Sequence, residues 1–178
     1  MTEGLPIAHS YNLARLGNAG DEVHFAADPA QLASLAGWAD ILEVEKWQAQ
    51  VDIKKLGPNR FGLSFHLDAD VVQACVVSLE PVPGHLECNF SRELVFVGAP
   101  RHKPAEAESE TVLDTSEEEG PEEISSLHVD LAAPLLEEFT LALDPYPRRP
   151  GVEFTPQTEP SSGLESPFAA LKALKPGS

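Results

Sequence analysis

The residues best suited to chemistry in this sequence are its cysteines and some of its histidines. His85 and Cys88 have an H-x-x-C spacing, and Cys75 lies on a neighbouring candidate strand. A structural zinc site usually takes four Cys and His ligands. Here the fourth ligand would have to be a distant histidine: His66, His24 or His102. Cys88 also falls on the apolar face of its strand, where cysteine packs as a small hydrophobic residue. We therefore expect neither a metal site nor a cofactor.

The sequence carries no signature of nucleophilic catalysis or of nucleotide binding. It has no G-x-S-x-G elbow, no local cysteine-protease signature and no glycine-rich phosphate loop. We expect a protein that is not an enzyme and has no catalytic residues. The alternative is a metal-dependent or cysteine-based hydrolase of unknown substrate, for which His66, His85 and Cys88 are the candidates.

Two adjacent arginines, Arg148 and Arg149, follow the stiff stretch Pro145-Tyr146-Pro147. One interpretation is that they interact with the C-terminal dipole of the preceding helix and pair with nearby acids such as Asp144. The other is a small basic recognition edge that the prolines hold in place. Charge alone favours the first interpretation, because surface pairs of this kind are common.

The overall charge indicates which partners the chain can bind. It has 12 Lys and Arg against 29 Asp and Glu, a formal net charge of −17. Phosphate-driven binding needs clustered Lys and Arg, so we expect no DNA partner and only local or indirect RNA contact. A strong negative charge favours basic partners such as ribosomal proteins.

The chain is expected to be cytoplasmic and to have no membrane partner. No apolar run approaches the length of a membrane span, and Met1 to Leu16 does not read as a signal segment. In a reducing compartment Cys75 and Cys88 are expected to be free thiols.

Alternation of apolar and polar residues predicts a mainly antiparallel sheet. Residues 61–71 alternate cleanly, so one face packs on a core and the other faces water. Other strands are predicted at 22–27, at 41–53 with a bulge near Glu45-Lys46, and from Leu86 to Phe96. A turn is expected at residues 81–84, and residues 72–79 could be buried on both sides.

Helices are predicted to pack on this sheet. The first follows Asp28-Pro29, which supply an N-cap and a proline at the first helical position, and ends near Gly37. The second begins at Asp130 or at Pro134, and Phe139 lies on its apolar face. The predicted fold class is α+β: a mainly antiparallel sheet that could close into a barrel, with two or three helices and a disordered acidic loop.

The composition changes along the chain and predicts five parts. From Pro104 to Glu123 there are many acids and no Lys or Arg, which predicts disorder. The parts are an N-terminal segment (1–20), a β-rich core (21–99), an acidic disordered loop (100–126), a helix with the Pro-Arg motif (127–150), and a tail with a short terminal helix (151–178).

Three stretches in order carry a family resemblance. They are VVQACVVSLEPV at residues 71–82, the stretch from Val129 to Gly151 ending in ALDPYPRRPG, and SPFAALKAL at residues 166–174. An acidic stretch separates the first from the second. Together they resemble the YceD family, the large ribosomal RNA subunit accumulation proteins.

The resemblance implies a non-enzymatic factor that supports synthesis, processing or stability of 23S ribosomal RNA in assembly of the large ribosomal subunit. It implies a ribosomal protein or a large-subunit assembly intermediate as partner. The residues that it singles out in the first block are Gln73, Cys75, Glu80 and Pro81. The candidate binding residues in the second are Glu137, Glu138, Asp144, Tyr146, Arg148 and Arg149.

One departure from the family pattern concerns Cys75. Many relatives carry a C-x-x-C in the first block, whereas this chain has Ser78 three residues after Cys75. A metal or redox function that needs both cysteines is therefore not expected here.

Overall fold

The structure, a computed structural model, describes residues 4–98 and 120–153. These residues form seven strands and two α-helices. The strands are β1 (Ser10–Asn12), β2 (Asp21–Ala26), β3 (Glu43–Lys55), β4 (Arg60–Ala74), β5 (Pro81–Phe96), β6 (Glu122–Ile124) and β7 (His128–Asp130). The helices are α1 (Pro29–Trp38) and α2 (Ala132–Ala142), and a short 3-10 turn spans Leu13–Arg15. The α+β class is confirmed.

Within residues 4–98 and 120–153, the main sheet is open and has five strands. Their order is β2-β3-β4-β5-β6, with antiparallel pairing throughout except between β5 and β6, which run parallel. The sheet does not close into a barrel, so that part of the prediction is wrong. Closure would need β2 to pair with β6, but β6 has only three residues. Helix α2 covers the apolar face of the sheet instead.

The predicted alternation of β4 is confirmed. Phe61, Leu63, Phe65, Leu67, Ala69 and Val71 are all at most 3% exposed. On β3 the buried set includes Trp47, and the register shifts between Val44 and Lys46, where a bulge is predicted. One extra residue there changes which side chains face the core.

Helix α1 forms where the sequence predicts it and ends at Trp38, one residue later than expected. The Asp28 carboxylate accepts hydrogen bonds from the backbone N–H groups of Ala30 and Gln31, both at 2.9 Å. The Gln31 side chain in turn accepts from the Asp28 N–H at 2.9 Å. This reciprocal capping satisfies N–H groups that the first helical turn leaves free.

Helix α2 forms where a helix is predicted, but it begins at Ala132, between the two expected starts at Asp130 and Pro134. It docks the C-terminal half on the sheet. Asp130 Oδ1 accepts hydrogen bonds from Ala132 N at 2.9 Å and from His9 N at 2.8 Å. Leu135, Leu136 and Phe139 are at most 1% exposed in the core. One carboxylate therefore fixes the start of α2 and also ties the N-terminal residues to it.

The turn predicted at residues 81–84 is wrong. Those residues begin β5 and pair with residues 71–74 of β4, and the chain turns at residues 75–80 instead. Pro81 and Pro83 are tolerated because β6 pairs with β5 only at Leu94–Phe96, so the other edge of β5 needs no N–H donor there.

The prediction that residues 72–79 are buried on both sides is also wrong. Val76 is 47% exposed and Leu79 is 77% exposed. Both lie in the turn rather than in the strand.

The last residues of the predicted acidic loop, 100–126, include a strand rather than disorder. Glu122–Ile124 form β6, which pairs with the last residues of β5 and extends the sheet. Residues 100–119 and the predicted terminal helix at 166–174 lie outside the described residues. Within the described ranges, no helix is long and apolar enough to cross a membrane.

No strand or helix is predicted within residues 1–20, yet part of this segment belongs to the fold. Strand β1 pairs with β7, with Tyr11 opposite Val129. Ile7, Leu13 and Leu16 are buried in the core. Pairs this distant in sequence leave no local periodic signal.

Candidate functional site

Two sequence blocks separated by about seventy residues meet at one end of the molecule. We call residues 75–80 the Cys75 turn and residues 144–151 the Pro-Arg segment. Gln73 Nε2 donates to the carbonyl oxygen of Asp144 at 2.9 Å. Val76 N donates to the carbonyl oxygen of Pro147 at 2.9 Å, and Pro147 is buried. These long-range contacts fix the Pro-Arg segment on the turn.

Arg149 anchors this junction on its charged side. Its guanidinium Nη1 lies 2.6 Å from Glu80 Oε2, with both side chains about half exposed. The hydrogen bond with Arg149 is the main reason that the pKa of Glu80 is lowered, and the same pair raises the pKa of Arg149. The acid that pairs with Arg149 is therefore Glu80, whereas sequence analysis suggested Asp144. Helix α2 ends at Ala142, well before Arg149.

Cys75 lies at the centre of the junction as a buried hydrogen-bond acceptor. Its side chain is 0% exposed, and Arg149 N donates to Cys75 Sγ at 3.4 Å. The pKa of Cys75 is lowered to about 6, mainly by a hydrogen bond from the Ser78 side chain. Hydrogen bonds from the backbone N–H groups of Arg149, Ser78 and Val77 lower it further, whereas burial raises it. The sulfur atom is enclosed, and its hydrogen bond with the Arg149 N–H joins the Cys75 turn to the Pro-Arg segment.

Ser78 therefore occupies the second position of the C-x-x-C pattern as a hydrogen-bonding neighbour of Cys75. No disulfide forms, since Cys75 and Cys88 are both free and buried. The free-thiol prediction is confirmed for both residues.

The outward residues of the Pro-Arg segment are Tyr146 and Arg148. Tyr146 is 71% exposed, and its N–H donates to Asp144 Oδ1 at 2.9 Å. Arg148 is exposed and has no ion-pair partner among residues 4–98 and 120–153. Pro147 and Arg149 alternate with them and contact the Cys75 turn. The backbone is thus fixed while two side chains project into solvent.

The Cys75 turn adds two apolar side chains to this exposed area. Val76 and Leu79 are 47% and 77% exposed, and Leu79 has a φ of 61°. A left-handed conformation is uncommon for leucine and costs free energy that the surrounding contacts must offset. We call the set Val76, Leu79, Tyr146 and Arg148 the junction surface.

Two of the candidate binding residues lie apart from the junction surface. Arg92 Nη2 donates to Glu137 Oε2 at 2.6 Å. Glu138 lies near Cys88, whose pKa is raised first by burial and second by the Glu138 charge. Both acids therefore lie where α2 contacts β5. Pro81, singled out in the first block, pairs with Ala74 at the start of β5.

The residues named for a hydrolase do not come together. His66 and His85 lie on the solvent face of the sheet. His66 Nδ1 is 2.8 Å from Asn89 Oδ1, and His85 Nδ1 is 2.7 Å from Asp70 Oδ1. Cys88 is buried on the other face, opposite Leu67. Side chains three residues apart on a strand point to opposite faces of the sheet. His85 and Cys88 therefore cannot bind the same metal ion or substrate.

A cluster that sequence analysis did not group is formed by Asp68, Asp70 and His85, whose ligand atoms lie within 4.8 Å of one another. Lys46 Nζ lies 2.7 Å from Asp68 Oδ1 and is the first cause of the lowered pKa of Asp68. The hydrogen bond with Asp70 is the main reason that the pKa of His85 is raised. Lys46 thus offsets one of the two carboxylate charges of the cluster. The outward positions of both aspartates were visible in the sequence, but their register with His85 was not.

Fold and junction together define an α+β protein with an open sheet and a rigid surface built from two distant segments. Residues 63–175 match the family described as large ribosomal RNA subunit accumulation protein YceD. The chain belongs to this family, as the sequence resemblance predicted. The matched region contains both halves of the junction. No curated protein and no solved structure matches the chain.

Proposed function

We propose that this protein is a non-enzymatic, cytoplasmic factor that supports synthesis, processing or stability of 23S ribosomal RNA during large-subunit assembly. The family gives the coarse role in large-subunit RNA accumulation. The observation that carries the proposal is the junction, where two blocks of the family region meet and hold Tyr146 and Arg148 outward.

The junction is suited to binding because it is rigid before a partner arrives. Hydrogen bonds from Gln73 and Val76, together with the Arg149–Glu80 ion pair, already order the backbone of the Pro-Arg segment. A surface that is ordered in advance loses less conformational entropy on association. Exposed Tyr and Arg side chains are also the types that contribute most at protein interfaces.

The partner that fits is a large-subunit assembly intermediate, with a basic ribosomal protein as the main contact. The net charge of −17 attracts basic proteins and opposes extended contact with phosphates. Arg148 could still contact one phosphate, and Tyr146 could stack on an unpaired base. Contact with RNA is therefore local or indirect.

The test is complementation of cells that lack this protein. The unchanged chain should restore the ratio of large-subunit to small-subunit ribosomal RNA, and the double variant Tyr146→Ala with Arg148→Glu should not. Arg15→Glu is the matched control, since Arg15 is exposed and lies on the 3-10 turn outside the junction. Full restoration by the double variant, or a normal ratio in cells without the protein, would overturn the proposal.

A further inference from the structure

An apolar groove runs along α1, at the end of the sheet that also carries the junction, and none of the four residues of the junction surface lines it. It lies between α1 and the start of β3, has a volume of about 610 Å³, and is lined by Leu32, Ala36 and Ile41 among others. Leu42, which also lines it, is 54% exposed, and neighbouring Trp38 is 41% exposed. Large apolar side chains grouped on a surface mark a site for contact with another element.

A second depression of about 400 Å³ lies along the same helix, lined by Pro6, Ser34 and Trp38, and Gly37 borders both hollows. A Cβ added at Gly37 would meet nothing within 4 Å, so the fold of the described residues does not need glycine there. Glycine inside a helix costs about 0.5–1 kcal/mol relative to alanine. It leaves the helix surface open to close approach by a second element.

The charge around the groove selects its occupant. Residues 29–39 contain no charged side chain in a chain whose net charge is −17. The rim near the C-terminus of α1 is acidic: Glu43 and Glu45 line the groove, and Asp40 is exposed at the helix end. The helix C-terminus adds negative charge, and no basic residue lies in its last turn. An apolar segment with positive charges fits this rim, whereas a second copy would place acids against acids.

We propose that residues 166–175 of this chain, SPFAALKALK, bind in this groove. The sequence predicts a helix there with Phe168, Leu171 and Leu174 on one side, and Lys172 and Lys175 supply the positive charge. This segment lies outside the described residues, the last of which is Glu153.

The tail starts at the end of the sheet where the groove lies, since Glu43 of the groove pairs with Val72, next to Gln73, which binds the carbonyl oxygen of Asp144. Residues 154–165 can extend to about 40 Å, while a domain of this size has a radius of gyration of about 14 Å. Tethering also raises the local concentration of the segment to about the millimolar range, so a weak contact suffices. This inference is independent of the proposed function.

The experiment compares the full-length chain with the full-length variant Phe168→Asp with Leu171→Asp. Trp38 lines the second depression, beside the groove, so its fluorescence should respond when a segment covers α1. The variant Trp38→Phe gives the separate signal of buried Trp47. We expect the variant to shift Trp38 emission to longer wavelength and to raise amide exchange in residues 30–38 about tenfold. Exposed Leu42→Asp should do the same from the groove side, and about 0.5 M salt should weaken the contact of the unchanged chain.

The matched control is Ser161→Asp with Ser162→Asp, which adds the same charge to the tail outside the apolar stretch and should change neither signal. Equal emission and exchange in the unchanged chain and the Phe168 variant would overturn the proposal and leave the groove to another protein. A Trp38 signal that depends on protein concentration, with doubled mass, would overturn it in favour of a second copy.

Discussion

At the scale of single residues, we expect Cys75 to make the stability of the junction depend on pH. Its thiol has a folded pKa lowered from 9.0 to about 6, first by the Ser78 side chain. A lowered pKa means that the thiolate stabilises the fold above the unfolded pKa and that this contribution is lost as pH falls through the folded pKa. The window of lost stability is therefore pH 9 down to about 6.

We accordingly expect the free energy of unfolding to fall over this window more steeply in the unchanged chain than in Cys75→Ser, which stays uncharged. Urea unfolding at several pH values measures the difference, and other titrating groups cancel between the two chains. The Ser78→Ala variant should raise the pKa of Cys75, seen in the ultraviolet absorbance of the thiolate. Parallel pH profiles for the unchanged chain and Cys75→Ser would contradict this role of Cys75.

Sequence could identify the residues of the junction but not their pairing. The block around Cys75 and the block around Arg149 were both singled out from their resemblance to a family. The ion pair of Arg149 with Glu80 joins the two blocks across the fold, and sequence analysis assigned Arg149 to nearer acids. Such a pair depends on where α2 ends and on the turn at residues 75–80, and local patterns specify neither.

At the scale of elements, α2 is the component whose packing matters most for the fold. Phe139 is 0% exposed between Leu135, Leu136 and the sheet. We expect Phe139→Ala to reduce the free energy of unfolding by about 3–5 kcal/mol, since the lost ring leaves a cavity. Leu141→Ala is the control on the same helix; Leu141 is 79% exposed, so its loss should cost under about 0.5 kcal/mol. Equal effects in chemical denaturation would show that α2 does not dock as described.

Elements with strong local signals were predicted well. The alternation of β4 and the cap of α1 are both written in short stretches of sequence. Residues 81–84 were misassigned because two prolines and a glycine usually mark a turn. The prolines are tolerated in β5 because β6, its neighbour on one side, is short and pairs only with Leu94–Phe96. The length of β6 depends on the sheet topology, which the local sequence does not show.

At the scale of the whole molecule, the sheet is open because helices rather than further strands cover its apolar face. Alternation on consecutive strands predicts an antiparallel sheet whether it is open or closed. Strand β6 pairs parallel with β5 and follows an acidic stretch. Ile124 is its one apolar residue, so the local sequence does not predict this strand. The basic partner expected from the net charge stays a prediction, and the location of the exposed Tyr and Arg pair needed the structure.

The most direct test of the binding role is association with purified large-subunit precursor particles at about 0.05 M and 0.15 M salt. We expect Arg148→Glu with Tyr146→Ala to weaken association about tenfold or more, the size of effect that loss of residues at the centre of an interface produces. Arg15→Glu should bind like the unchanged chain, and calorimetry should show all three equally folded. Arg149 is left intact because it anchors the segment to Glu80. Unchanged association of the folded double variant would contradict the account.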